Sequence, residues 1–370
     1  MPSAIDSIPI ASFETINYSA LERRDAKEIE KLMGASRTAG FFYLDFDRSG
    51  AAGLPKKKKE VLKAMKEYFS QPDDIKQLDS KGVPTRGYVK KGTFTAVDPS
   101  RPDESFEHLA IGTHDLGTNL ASTLPAVFKK AGTLIPDYVA LCERVVDVLL
   151  DCYSQALGVP GQFLEYHDHE KPSDTILAML SYPGKLTHQK HTDLGSLTVL
   201  FSDEWGLQVV EPSNGNWEWV EPRENDAVIN VGDTLRFLSG KTLYSCVHRV
   251  IRDGRASDEG HRYSIAYLLR PGDDVSFVDA DGSRITAQSF AGIKYKAYSA
   301  DHAEQDKTTV LTGGMEQAAT ARASILGGHS LAFSSFAVNG DAGELKLDFG
   351  TSEEADAPSL SFKIIKQGIG

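Results

Sequence analysis

Between residues 175 and 269 the apolar positions come in short runs separated by turn residues. Stretches 176–181, 197–201, 207–211, 217–220, 227–230, 235–238, 247–251 and 263–269 each read as a strand, and the Pro-Gly, Ser-Asn-Gly-Asn and Gly-Asp sequences near them are turn chemistry. Many short strands at regular spacing predict a β-sandwich or jelly roll. Upstream the period lengthens. Residues 25–40 predict a helix with Ile29, Leu32 and Met33 on one face and Gly40 as its stop, and 54–68 predict a second amphipathic helix whose Lys56 to Lys59 form a solvated face. The longest helical pattern is 134–157, where Ile135, Val139, Cys142, Val145, Val146, Leu149 and Leu150 recur at three- and four-residue intervals and Gly158 stands where a C-cap is expected. Residues 8–10 and 40–44 read as strands, and 82–95 as a loop.

These patterns predict a mainly β fold with α, a jelly-roll core braced by N-terminal helices. They divide the chain into a helical and mixed region (1–130), a spine helix with the β core (131–300), and a C-terminal extension (301–370). Within that extension 344–349 and 360–365 alternate like strands, and the segment is expected to serve as a lid or an interface element.

Composition narrows the class. The chain has 370 residues, 41% hydrophobic and 25% charged, which is ordinary for a globular protein. Its formal charge of −12, from 40 Lys and Arg against 52 Asp and Glu, disfavours nucleic acid and anionic lipid as partners and leaves a small-molecule substrate. Cys142, Cys152 and Cys246 are too few and too irregular for a disulfide framework or a zinc cluster and read as buried thiols. Neither a secretory leader nor an apolar run of ~20 residues is apparent, so the expected setting is the reducing cytoplasm. Oligomeric state is not set by these features.

The chemistry concentrates in two places. His191-Thr192-Asp193 puts an imidazole and a carboxylate two residues apart, which on an extended backbone places both on one side. His248 follows 55 positions after Asp193 in Cys246-Val247-His248-Arg249-Val250. Two imidazoles and one carboxylate can occupy one face of an octahedral Fe(II) and leave open the positions that oxygen activation needs; a closed shell would mean a structural metal. Fourteen residues after His248 comes Arg262-Tyr263-Ser264, where a guanidinium fork and a hydroxyl share a strand face and make a receptor for a carboxylate. Either half alone is more often ordinary surface; their order in a β-rich region singles out one site. His167-Asp168-His169 lies in a polar loop and is not expected to bind metal. His188 is expected behind the ligands or exposed, and His261 facing outward.

With these residues in place, the chain resembles the isopenicillin N synthase-like family of 2-oxoglutarate and Fe(II)-dependent dioxygenases. The resemblance rests on His191-x-Asp193, His248 and Arg262-x-Ser264, with Leu194-Gly195-Ser196, Gly206-Leu207-Gln208-Val209, Asn230-Val231-Gly232-Asp233 and Gly40-Phe41-Phe42-Tyr43-Leu44 in agreement, and covers roughly residues 5–300. It implies a double-stranded β-helix, Fe(II) held by His191, Asp193 and His248, and 2-oxoglutarate whose 5-carboxylate meets Arg262, Ser264 and Tyr182. It implies use of dioxygen, release of succinate and CO2, and hydroxylation, desaturation or ring formation on a small, largely apolar metabolite in specialised metabolism. Leu180 departs from the family pattern, in which an Asn stands two residues before that tyrosine. The resemblance also suggests Arg86, Tyr88, Phe94, Phe106, His108, Leu180, Phe201 and Phe237 as substrate-pocket residues. Three alternatives stay open: an Fe(II) oxidase of the same fold that does without 2-oxoglutarate, a non-catalytic ligand-binding module, and a zinc hydrolase.

Overall fold

The computed structural model describes residues 8–46, 51–83, 85–98, 100–101, 104–116, 124–184, 187–251 and 261–315, all of which belong to one structural unit. The strands expected at 344–349 and 360–365, and most of the C-terminal extension, lie outside the described residues.

The described strands are Thr15–Asn17 (β1), Phe41–Asp45 (β2), Ser80–Val83 (β3), Arg86–Val89 (β4), Glu107–Gly112 (β5), Ile176–Tyr182 (β6), His188–His191 (β7), Leu197–Phe201 (β8), Leu207–Val210 (β9), Trp217–Trp219 (β10), Ala227–Val231 (β11), His248–Val250 (β12), Arg262–Leu269 (β13), Ser276–Val278 (β14) and Arg284–Thr286 (β15). Nine of them form a sheet in the order β1-β2-β11-β8-β13-β6-β5-β4-β3. A second sheet runs β10-β9-β12-β7, and β14 and β15 make a separate hairpin. Both large sheets contribute side chains to one internal cavity, the arrangement of a jelly roll.

The alternation of side chains assigns the faces. In β6, β8 and β13 the odd positions Leu177, Met179, Val199, Ile265 and Tyr267 join Val145, Val146 and Leu149 of the helix Leu134–Ala156 in the main apolar core. The even positions Ala178, Leu180, Thr198, Leu200, Ser264 and Ala266 line the cavity. The register keeps the faces aligned, with Arg262 opposite Tyr182, Ser264 opposite Leu180 and Ala266 opposite both Ala178 and Leu200. Because the period is two, a one-residue slip would turn the polar cavity face into the helix core.

The helix Ala26–Thr38 starts where the Asp25 carboxylate accepts from the amides of Lys27 and Glu28 (both 3.0 Å). It ends before Gly40, whose φ is +68° and where a Cβ would lie 2.1 Å from the Tyr244 carbonyl oxygen, so only glycine fits.

Four expectations change. Residues 235–238 are not a strand but part of the helix Asp233–Leu238, because Gly232 packs on Gly195 and the chain turns there. The stretch read as a loop at 82–95 contains β4 and the end of β3. Residues 8–10 contribute only an isolated bridge, Ile10 with Trp219. The lysine run is not uniformly solvated: Lys58 is 1% exposed, and its ammonium is held by Asp203 (2.7 Å) and the Glu224 carbonyl oxygen (2.8 Å). All three cysteines are free and buried, and no helix of the described residues is long and apolar enough to cross a membrane.

Candidate active site

β7 carries His191 and β12 carries His248, and the two residues face each other in the register of the second sheet. Asp193 follows β7 in a turn fastened to the start of the helix Asp233–Leu238: the Asp233 amide donates to the Asp193 carbonyl oxygen (2.8 Å) and the Gly232 amide to that of Ser196 (2.9 Å). The Asn230-Val231-Gly232-Asp233 sequence therefore serves to hold the Asp193 turn.

The three donor groups converge. His191 Nε2 lies 3.7 Å and His248 Nε2 3.6 Å from Asp193 Oδ1. Two donors with bonds of about 2.1 Å to one ion are at most about 4.2 Å apart, so both spans fit a shared metal. The remaining atoms of each group are engaged. Nδ1 of His191 donates to the Gln189 carbonyl oxygen (2.7 Å) and Nδ1 of His248 to that of Cys246 (3.1 Å), which leaves each Nε2 with its lone pair toward the centre. Asp193 Oδ2 accepts from Thr198 Oγ1 (2.5 Å) and Asn230 Nδ2 (2.7 Å), which leaves Oδ1 free to ligate.

Electrostatics agree with the geometry. Burial, and then the imidazole of His248, push His191 down to about 3. Burial alone would raise Asp193, but His248, His191 and the Asn230 donor outweigh it and hold the carboxyl well below the usual range. A neutral imidazole beside an ionised carboxylate is the state a divalent cation requires. Among the described residues this is the one group of three or more His, Cys, Asp or Glu side chains close enough to hold a metal ion.

A second receptor lies in the same cavity. Arg262 is 4% exposed, donates from Nη1 to Ser264 Oγ (2.8 Å), and places its guanidinium carbon 4.9 Å from the ring centre of Tyr182. Its Nε has no acceptor and no carboxylate pairs with it among the described residues. Gly206, with φ at +139°, allows this close fit, since a Cβ there would stand 2.9 Å from Nε. A buried cation without an anion is costly, and a carboxylate from a bound molecule would satisfy it.

Comparison with known proteins agrees. The sequence model of the 2OG-Fe(II) oxygenase superfamily matches residues 152–271. Oxidoreductase vrtI of Penicillium aethiopicum is 38% identical over 320 residues, covering 84% of this chain and 76% of that protein. The 2-oxoglutarate-dependent dioxygenase FG08081 of Gibberella zeae is 35% identical over 324 residues, 85% of this chain and 96% of the relative. The chain belongs to the 2OG-Fe(II) oxygenase superfamily. Its fold also matches a full-length Neurospora crassa protein solved in complex with alpha-KG and thymine, with a TM-score of 0.64 at 24% identity over 77% of this chain and 96% of that one.

The cofactors of this oxygenase are Fe(II) and 2-oxoglutarate. Its cavity has two lobes that meet at Leu180, His188, His191, Asp193 and Leu268. One lobe contains Tyr182, Arg262 and Ser264. The other is walled by Phe94, Phe106, His108, Arg270, Tyr295 and Tyr298. Phe94 stacks on Phe106 and on His108, both with ring centres 5.5 Å apart.

Of the pocket residues expected from sequence, Phe94, Phe106, His108 and Leu180 line the second lobe. Four others line neither lobe. Arg86 is paired with Asp115 (2.6 Å) and lies 3.8 Å from Asp174. Tyr88 donates to Glu107 Oε2 (2.6 Å) within the helix-side core. Phe201 occupies an odd position of β8 and so faces the helices. Phe237 packs with Phe277 and Phe290 in a separate cluster.

Of the two placements expected for His188, the structure has the one against His191: its ring centre is 4.1 Å from that of His191 and 4.2 Å from that of Phe106. His261 is exposed, as expected. His167 and His169 form no joint site: His167 donates from Nδ1 to the Phe163 carbonyl oxygen and accepts at Nε2 from Ser196 Oγ (both 2.6 Å), whereas His169 pairs with Asp147 (2.9 Å). Sequence reading passes over Thr198, Arg270, Tyr295 and Tyr298, and gives Asn230 no role. Strand parity relative to Arg262 and Ser264 carries the signal for Arg270, and the three-residue spacing on one helix carries it for Tyr295 and Tyr298.

Proposed function

We propose that His191 Nε2, Asp193 Oδ1 and His248 Nε2 bind the iron, that Arg262 and Ser264, with Tyr182 packed against them, receive the 5-carboxylate of 2-oxoglutarate, and that the aromatic lobe receives a small organic substrate to be oxidised. The observation that carries this reading is the convergence of three donor atoms, each with its neighbouring atoms already engaged, beside a buried guanidinium that lacks an anion.

Bound iron and 2-oxoglutarate supply the oxidising power, consuming dioxygen and yielding succinate and CO2. The chain's own residues do the rest. Thr198 and Asn230 fix the carboxylate of Asp193 so that Oδ1 faces inward; the Gln189 and Cys246 carbonyls fix the tautomers of the two imidazoles. Arg262 and Ser264 orient the diacid from its far end. Phe94, Phe106 and His108 form a stacked aromatic wall that excludes water and keeps a substrate C–H near the metal. Leu180 borders both lobes and offers no hydrogen bond, so a polar contact to the metal-proximal end of the co-substrate would have to come from another residue. We assign the reaction to specialised metabolism, as the sequence resemblance implies, and to the cytoplasm, a reducing setting that fits the three free, buried cysteines.

Oxygen uptake by Fe(II)-reconstituted enzyme tests this reading. Uptake should require 2-oxoglutarate and yield succinate. Turnover indifferent to 2-oxoglutarate would favour the oxidase alternative, and activity with zinc but none with Fe(II) would favour the hydrolase.

A further inference from the structure

A second buried arginine lines the cavity at the opposite end from Arg262. Arg270 follows β13 directly and is 8% exposed. Its Nη1 donates to the carbonyl oxygen of Asp174, and its guanidinium carbon lies 5.6 Å from the ring centre of Tyr295. Nε has no acceptor, and among the described residues no carboxylate pairs with the group. Asp174 gives Arg270 only its backbone oxygen, and its own carboxylate lies 3.8 Å from Arg86. The phenol of Tyr295, which lines the same lobe, is buried without a partner as well. Burial pushes that phenol up to about 12, so it remains a donor. Two unsatisfied donor groups at one end of a cavity are a receptor awaiting acceptor oxygens.

2-Oxoglutarate held at Arg262 cannot meet that need. Arg262, Ser264, Ala266, Leu268 and Arg270 occupy alternate positions on one face and all line the cavity. Eight residues of strand separate the two arginine Cα atoms by roughly 26 Å. In the reading proposed above, 2-oxoglutarate has one end at Arg262 and the other at the metal, so neither carboxylate is left for Arg270. His191 and Asp193 line both lobes and so lie between the two ends, and the walls near Arg270 are largely aromatic or apolar: Phe94, Phe106, Ile176, Ala178, Tyr298.

Building on the function proposed above, we propose that the primary substrate is a carboxylic acid with an apolar body, its carboxylate anchored by Arg270 beside Tyr295 and its body lying along the aromatic wall toward the iron. Arg270 is thus the residue that sets specificity, and the two arginines sort two carboxylates, one to each end of β13.

The test is calorimetric titration of anaerobic enzyme loaded with Fe(II) and 2-oxoglutarate. The probes are small acids, each beside its primary amide: hexanoate, 3-phenylpropanoate, indole-3-acetate and decanoate. At least one acid should bind about tenfold or more tightly than its amide, as a charge-assisted pair implies. Arg270→Gln should abolish that preference and Arg270→Lys retain part of it, both with an unchanged Kd for 2-oxoglutarate, which also reports that the variants are folded. Arg262→Gln should do the reverse. The proposal is overturned if no acid outperforms its amide, or if the preference survives in Arg270→Gln. Failure of the wild-type enzyme to bind 2-oxoglutarate would instead defeat the co-substrate reading. Loss of 2-oxoglutarate binding in Arg270→Gln alone would exchange the roles of the two arginines and overturn both.

Discussion

Lys294 and Asp233 form an ion pair in which neither side chain has any exposure to solvent. The same ammonium donates to Thr192 Oγ1 (2.7 Å), and Thr192 Oγ1 also donates to Asp233 Oδ2 (2.9 Å). Thr192 is the residue between His191 and Asp193, so this pair braces the turn that carries them. Its backbone is held too, by the Tyr298 hydroxyl at its carbonyl oxygen (3.0 Å) and by the Leu311 carbonyl oxygen at its amide (3.1 Å). Removing one charge leaves the other buried and unpaired, which costs about 3–5 kcal/mol. Lys294→Met should therefore lower the urea midpoint sharply. Lys294→Met combined with Asp233→Leu should recover much of the loss, because no isolated charge remains. A double variant as unstable as the single one would show that shape rather than charge balance matters there.

Asn230 offers a cleaner test of positioning. It is 2% exposed and donates from Nδ2 to Asp193 Oδ2, whereas the two imidazoles approach Oδ1. Partners of metal ligands typically contribute about 10- to 100-fold in metal affinity. Asn230→Ala should weaken Fe(II) binding by that factor, measured by anaerobic titration, with little change in the unfolding midpoint. Asp193→Ala, His191→Ala and His248→Ala should each abolish turnover, and wild-type activity in any of them would remove that residue from the ligand set.

Strand parity explains what can be read from sequence here. The rule that puts Arg262 with Ser264 also assigns β8: Thr198 and Leu200 face the cavity, so Phe201 must face the helices; Asp193 reaches His191 from a turn after β7 instead. Aromatic character and family resemblance both point to Phe201, and neither carries facing. Phe237 fails for a related reason. Its segment, 235–238, has the composition of a strand, but contact between Gly232 and Gly195 and an amide bond from Asp233 to Asp193 start a helix there. That contact is between residues far apart in the chain and is invisible to a local window. The wall residues Tyr295 and Tyr298 come from the helix Ala287–Tyr298, whose apolar signal is weak because buried Lys294 and small Ala and Gly interrupt it.

His167 supplies a pH dependence independent of the metal. It is fully enclosed, and burial pushes it down to about 4 from an ordinary value of 6.5. The unfolded chain then binds a proton between those two values that the folded chain refuses, so stability is fully present above about pH 6.5 and declines as pH falls toward 4. From pH 7.5 to 5 the loss attributable to this residue is about 2 kcal/mol. Urea unfolding at the two pH values measures it. His167→Gln, which cannot titrate, should flatten this part of the profile, and an unchanged slope would assign the dependence to other groups.

Arg262 decides between the two oxygen-using mechanisms. In a 2-oxoglutarate enzyme its guanidinium meets the co-substrate, and Arg262→Gln should raise the KM for 2-oxoglutarate by about 10- to 100-fold, the value of a lost charge-assisted bond, with kcat much less affected. In an oxidase the same guanidinium would meet the substrate, and the change would appear in the substrate KM while 2-oxoglutarate had no effect in either form. Ser264→Ala should act in the same direction as Arg262→Gln but less strongly, because it removes a neutral hydroxyl that the guanidinium already holds at 2.8 Å. The ratio of the two effects, read from succinate formation at varied 2-oxoglutarate, separates charge from orientation. If Ser264→Ala proved the more damaging of the two, the carboxylate would be held chiefly by the hydroxyl, and the role given to Arg262 would have to pass to packing against Tyr182.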